Sequence, residues 1–211
     1  MTSEKPDLDS AYSLESPDDN RRLYRDWAAT YDQEFLAESG YRYGQLIADA
    51  FSEAGGRGPV LDAGCGTGLL GAFLPADIEI DGADISAEML AAAQRKGRYR
   101  NLYELDLTRP LPFEDSSYNG LTSSGTFTHG HVGPAALDEL VRVMASDAVG
   151  AVTSHSAFYE TAGFAEKFDD LVRLERITRP HMREERIYSE TGQPPEGHEN
   201  DMAFIIVFQR L

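Results

Sequence analysis

VLDAGCGTG, residues 60–68, is the stretch on which the fold turns. Val60–Ala63 is a short apolar run of strand length, and the glycines behind it give a sharp bend, with a helix expected from about Leu69. Glycine is required where the chain reverses tightly and where a ligand approaches the backbone. Such a turn aims backbone N–H groups at a ligand held on the carboxyl edge of a sheet.

Downstream, short apolar runs alternate with helical patterns, the signature of βα repetition and a parallel sheet. Strands are expected over 78–83, 101–105, 120–124 and 150–154. A helix over 86–96 has Ser86 as N-cap, Glu88 in its first turn and Gly97 behind Arg95-Lys96 as its stop. A second, over 134–144, lines up Leu137, Leu140, Val141 and Met144 on one face. The last quarter predicts a helix near 162–173 and two β-rich stretches, 174–188 and 203–211, joined by the loop TGQPPEGHEND. Strands joined by a loop without a crossover helix should pair antiparallel. Upstream, Leu23, Trp27, Tyr31 and Phe35 recur every four residues, which predicts one amphipathic helix over 20–38. Another covers 43–54, with Leu46, Ile47, Ala50 and Phe51 at helical spacing and Gly55-Gly56 as its end. Residues 1–18 lack apolar periodicity and read as a flexible arm, leaving 19–211 as one domain with an N-terminal helical lid.

At 211 residues one core is expected, because a chain of this size buries roughly 70% of its unfolded surface. The longest apolar run, near 203–208, is far short of the roughly 18 residues that span a bilayer. The polar N-terminus shows no export signal, so a cytoplasmic location is expected, with no membrane partner. Cys65 is the only cysteine, which excludes an internal disulfide and a cysteine-built metal cluster. The net charge of −17, from 19 basic and 36 acidic side chains, repels nucleic acid. Arg95, Lys96, Arg98 and Arg100 cluster, but at a helix end, where cations complement the dipole.

Three acidic residues stand at strand ends: Asp62, Asp84 and Asp106. Asp84, about 20 residues beyond the glycine turn, is placed to accept both hydroxyls of a ribose. Asp106, in ELDL, is placed to accept from an adenine amino group. Gly66, Gly68 and Gly71 also match the dinucleotide fingerprint, so an NAD-dependent dehydrogenase is a competing reading. Asp62 argues against it: its charge opposes a pyrophosphate and complements the amino group and sulfonium of S-adenosylmethionine. Asp106 likewise has no part in the simple dinucleotide fingerprint.

With these residues in view, the chain resembles the class I S-adenosylmethionine-dependent methyltransferases. VLDAGCGTG is similar to their first motif, GADIS with Asp84 to the second, ELDL with LPF to the third, and SSYNGLTSSGTFTH to the fourth, so the resemblance covers 60–154. LYRDWAATYDQEF and GTFTHGHVG are further similar to the small-molecule methyltransferase-like proteins first named from the Williams–Beuren chromosomal region. The resemblance implies an α/β, Rossmann-like seven-stranded sheet, mostly parallel with the last strand antiparallel, helices on both faces, S-adenosyl-L-methionine as cofactor and a small-molecule acceptor. The sequence departs from the family before strand five, where Ser146-Asp147-Ala148-Val149-Gly150 replaces the usual Pro-Gly-Gly. Carried over residue by residue, Gly64 binds the methionine amino group through its carbonyl, and Cys65 and Gly66 line the methionine moiety. Ile85 and Met89 flank adenine and ribose, Leu107 offers a backbone N–H near adenine, and Ser123 and Ser124 with Gly125 lie beside the sulfonium. Tyr24 or Tyr31 closes over it from the lid, while Trp27 reads as core.

Methyl transfer to a protonated acceptor benefits from a base. His129 and His131 follow the fourth strand, and His155 ends the fifth. His129-Gly130-His131 lacks a clear third ligand for a metal, and no Gly-x-Ser-x-Gly elbow supports a hydrolase. A non-catalytic module that binds S-adenosylmethionine remains the alternative. The acceptor and the oligomeric state are not legible.

Overall fold

The computed structural model describes residues 7–14, 16–28, 30–32 and 38–211. Seven strands form one sheet in the order β3-β2-β1-β4-β5-β7-β6. They are β1 (Val60–Ala63), β2 (Ile80–Asp84), β3 (Asn101–Glu104), β4 (Tyr118–Phe127), β5 (Met144–His155), β6 (His181–Arg186) and β7 (Met202–Gln209). Pairing is parallel from β3 to β5 and antiparallel on both sides of β7, so the last strand alone runs in reverse. The expected C-terminal hairpin is the β6–β7 pair, with His181 opposite Val207 and Arg186 opposite Met202.

Every side chain of β1 is buried, as a strand covered on both faces requires. Because side chains alternate, Leu61 and Ala63 join the core under α5 (Leu137–Val143) and α7 (Phe164–Arg173), built on Leu140, Phe164 and Phe168. Val60 faces the opposite core, under α3 (Tyr43–Glu53), built on Ile47, Phe51 and Leu70. A third cluster joins the N-terminal elements to the sheet edge through Leu8, Ala11, Trp27, Tyr43, Tyr188 and Ala203.

The helix α4 (Ala87–Lys96) follows its caps: the Ser86 hydroxyl accepts from the Met89 N–H at 3.3 Å, and Gly97 closes it at φ 66°. Beyond α4 the basic cluster serves the fold. Arg98 donates to the Pro75 and Ile78 carbonyls, and Arg100 pairs with Asp81 at 2.8 Å and Glu79 at 2.7 Å.

Several expectations are corrected. No α-helix follows the glycine turn; a single 3₁₀ turn, Leu70–Ala72, stands there, with the Tyr99 ring where a Cβ on Gly71 would fall and Pro75 just beyond. Of the lid helix expected over 20–38, α2 (Pro17–Trp27) ends at an Ala28 cap, and residues 29 and 33–37 lie outside the described residues. Tyr31 then meets Trp27 edge-on with ring centroids 5.0 Å apart; Phe35 lies outside the described residues. Within the segment read as an arm, Leu8–Tyr12 is a helix, α1, since Leu8 and Ala11, three apart, bury one face on the third cluster. α2 begins inside it too, with Ser16 as N-cap and Pro17 in the first turn. A short helix, α6 (Ser156–Thr161), follows β5 where none was expected. No helix among the described residues is long and apolar enough to cross a membrane.

Candidate functional site

A cavity of about 450 Å³ opens at the carboxyl ends of β1 to β4, within the range of small-molecule sites. The order of strands in the sheet spreads its wall into a sequence of groups. Asp106, Leu107 and Thr108 follow β3, Asp84 and Ile85 end β2, Gly64 to Thr67 follow β1, and Ser124 to Thr126 belong to β4.

Asp84 is held from behind. Its carboxylate accepts from the Gly66 N–H at 2.8 Å and the Ser86 N–H at 2.9 Å, tying the glycine turn to the start of α4. Burial pushes its pKa up, and these donors only partly offset that. Asp106 accepts from the Thr108 N–H at 2.9 Å and its hydroxyl at 2.6 Å, which orients the carboxylate. Gly66 sits at φ 52°, and a Cβ there would meet nothing within 4 Å: the turn leaves open space where a ligand can touch the backbone. Gly64, at φ 73°, instead packs so tightly on Thr126 that a Cβ would fall inside that side chain.

On β4 the pairing with β5 shifts between Ser123 and Phe127, a bulge that contains Gly125 at φ 75°. The bulge turns Ser124, Gly125 and Thr126 into the cavity wall, a common use of bulges beside functional sites. The roof comes from the N-terminal segments, through Leu14, Ser16, Asn20, Tyr24 and Tyr31. Asp32 fastens this roof to the floor: its carboxylate takes the Thr67 hydroxyl and lies 2.6 Å from Lys96 Nζ at the end of α4. No Lys or Arg lines the cavity among the described residues, whereas two carboxylates do.

Of the residues singled out in the sequence, the cavity brings together Tyr24, Tyr31, Gly64, Cys65, Gly66, Asp84, Ile85, Met89, Asp106, Leu107, Ser124 and His131. Cys65 is buried, which pushes its thiol pKa up and makes it a packing group.

Asp62, Ser123, His129 and His155 are not on that wall. Asp62 shares the face of Val60 by strand alternation and is buried behind the turn, 1% exposed. There it accepts from the Tyr99 hydroxyl at 2.7 Å and the Thr122 hydroxyl at 3.0 Å, and burial pushes its pKa up to about 6. Ser123 is fully buried and donates to the Ala63 carbonyl at 2.7 Å. His129 and His155 pack around the Tyr12 ring from α1, together with His198, whose Nδ1 lies 2.7 Å from Asp201. His155 lines a small adjoining pocket of about 40 Å³ with Tyr12, Tyr43 and Tyr188. Spacing along the chain does not separate these histidines, because the approach of α1 decides which is covered.

His131 stands apart from the other two. Its Nε2 lies 2.8 Å from the Tyr24 hydroxyl and its Nδ1 2.8 Å from the His129 carbonyl, while burial holds its pKa below the ordinary value. The sequence reading missed Tyr41, Val132 and Phe158, which also line the cavity. Nothing in their local pattern marks them, since each arrives through packing of separate elements.

Residues 60–147 match a family model described as a methyltransferase domain. The chain is 35% identical to methyltransferase-like protein 27 of Homo sapiens over 125 residues, 56% of this chain and 51% of that protein. It therefore spans about half the length of this curated relative. A solved S-adenosylmethionine-dependent methyltransferase of Thermotoga maritima, described as a possible histamine N-methyltransferase, is similar with a TM-score of 0.60. That likeness is at 19% identity and covers 90% of this chain and 98% of the other. The [4+2]-cyclase SpnF is similar with a TM-score of 0.68 at 15% identity, over 95% of this chain and 99% of that one. At such identities both likenesses speak for the fold alone.

Proposed function

We propose, from the premise that this chain carries a methyltransferase domain of the class I S-adenosylmethionine-dependent family, that it transfers the cofactor's methyl group to a small-molecule acceptor bound beside it. The observation that carries this reading is the charge of the cavity: Asp84 and Asp106 line it and no described cation does. The cations nearest that wall are already paired, Lys96 with Asp32 and Arg109 with Asp106, so a pyrophosphate would meet carboxylates while a sulfonium and an amino group are complemented by them. This favours the sulfonium cofactor over a nicotinamide dinucleotide, and the small molecule over a nucleic acid.

The residues present fit the group. Asp84 has carboxylate lone pairs left for ribose hydroxyls, and Asp106 for an adenine amino group. Ile85, Met89 and Leu107 supply apolar walls, and the open side of Gly66 lets the methionine portion approach the backbone. The cofactor supplies a methyl carbon already activated by positive sulfur, so what the chain must add is alignment and exclusion of water. The roof of Tyr24 and Tyr31, fastened through Asp32, excludes water, and the bulge of β4 sets the floor under the acceptor.

Calorimetry with S-adenosylmethionine, its demethylated product and NADH tests the reading. The first two should bind, and Asp84→Ala should weaken them roughly 10- to 100-fold, the range for loss of a charge-assisted hydrogen bond. Binding of NADH in their place overturns it. Labelled product formed from labelled cofactor and a metabolite extract distinguishes transfer from a non-catalytic binding module, which would hold the cofactor and release no product.

A further inference from the structure

The Tyr24–His131 pair has a polarity that restricts the acceptor. A carbonyl oxygen only accepts, so the contact between His131 Nδ1 and the His129 carbonyl puts a hydrogen on Nδ1. In the neutral ring Nε2 is then bare, and it must accept the hydroxyl proton of Tyr24. Tyr24 has thereby given its only proton inward. Tyr24 lines the cavity, and its oxygen can only accept from a ligand group that reaches it.

Two further observations narrow the ligand. The wall holds two carboxylates and no described Lys or Arg, so a carboxylate or phosphate acceptor finds no counter-charge. Tyr31, Tyr41, Val132 and Phe158 line the same chamber and offer an apolar, partly aromatic bed. In the reading above both carboxylates are taken up by the cofactor, so neither is left to pair with an ammonium acceptor, and a hydroxyl is a poor nucleophile until its proton is drawn off. A pre-set proton acceptor therefore points to a hydroxyl.

We propose that the acceptor is an uncharged, hydroxyl-bearing small molecule with an apolar body, and that its hydroxyl donates to Tyr24, whose proton passes to His131. The inference rests on the methyl-transfer reading above. The acceptor oxygen forms a bond to the methyl carbon with one of its lone pairs while the carbon–sulfur pair stays on sulfur, giving a methyl ether and a thioether. The acceptor's proton moves to the Tyr24 oxygen and the Tyr24 proton to His131 Nε2, leaving an imidazolium still bonded to the His129 carbonyl. Burial keeps His131 neutral beforehand, the state that can take the proton; no charged side chain contributes to that shift.

The first test needs no acceptor. In protein labelled with ¹⁵N-histidine and saturated with S-adenosylhomocysteine, His131 should be neutral at pH 7 with its proton on Nδ1. In Tyr24→Phe the Nε2 resonance should move toward that of a free imidazole nitrogen, in a protein that keeps its folded spectrum and melts a few degrees lower for the lost buried hydrogen bond. The second test supplies labelled S-adenosylmethionine with a small-molecule extract split on an anion exchanger. Label should come from the unretained pool, in a product held by neither an anion nor a cation exchanger at pH 7. Tyr24→Phe and His131→Gln should each lower that turnover at least about 100-fold, the range of a general base, with cofactor Kd within about threefold. A proton on His131 Nε2, an imidazolium at pH 7, or a charged product overturns the inference and leaves methyl transfer standing. Cofactor binding with no product from either pool overturns the transfer reading and this inference with it.

Discussion

Asp62→Asn should remove a pH dependence that the parent fold carries. The carboxyl is buried between the Tyr99 and Thr122 hydroxyls, and burial lifts its pKa from 3.8 to about 6. Between those values the folded chain holds the proton more tightly than the unfolded chain does. Stability therefore falls as pH rises across that window and levels off above it. At about 1.4 kcal/mol per unit, ionised Asp62 costs about 3 kcal/mol at pH 7, of which about 2 kcal/mol develops between pH 4 and pH 7. An asparagine can keep both contacts, its oxygen accepting from Tyr99 and its amide donating to the Thr122 hydroxyl, which serves equally as acceptor. Urea unfolding of parent and variant at pH 4 and pH 7 gives the double difference, in which the other titrating groups largely cancel. The variant should gain about 2 kcal/mol relative to the parent over that interval. A double difference below about 0.5 kcal/mol would refute the argument that this carboxyl is dry and only partly compensated by its two hydroxyl donors.

The two turn glycines should respond differently. Gly66→Ala has room for its Cβ and should cost only about 1–2 kcal/mol for its left-handed backbone while weakening cofactor binding markedly by calorimetry; Gly64→Ala collides with Thr126 and should leave no folded protein by circular dichroism. Arg100→Met should cost about 1–2 kcal/mol at pH 7, because burial raises the Asp81 pKa but Arg100, Asn101 and Tyr118 more than offset it. That contribution is present above the ordinary carboxylate pKa and is lost as pH falls through the depressed one, so chemical denaturation near pH 3 should show a smaller difference. Asp32→Asn should loosen the roof by at most about 1 kcal/mol, since Lys96 and Asp32 are 34% and 42% exposed. Limited proteolysis at low salt should cut the N-terminal helices faster in the variant, and the difference should vanish at high salt.

Much of the sheet was legible because its signals are local. Ser86 and Gly97 bound α4 by satisfying the helix ends, and the short apolar runs between helices mark β1, β2, β4 and β5 as strands buried over most of their length. Asp84 and Asp106 were legible as residues of the cavity wall for a related reason: each stands where a strand ends and the chain must turn across the carboxyl edge. The break of the lid helix after Trp27 was not, since four-residue spacing continues through Tyr31 whether or not the helix does.

Asp62 marks the limit most clearly. As a residue next to the glycine turn it looks equivalent to Asp84, yet strand alternation turns it toward Tyr99 and Thr122, 37 and 60 residues away in the chain. The histidines divide in the same way: α1 packs Tyr12 onto His129 and His155, while α2 delivers Tyr24 to His131. By itself the sequence determined the βα order, the reversed last strand and the carboxylates that flank the cavity, because each follows from neighbouring residues and the periodicity of one element. Which acid is dry, which histidine holds a free nitrogen toward a tyrosine, and what roofs the cavity were decided only by tertiary structure, because those properties belong to pairs of groups that meet when separate elements pack.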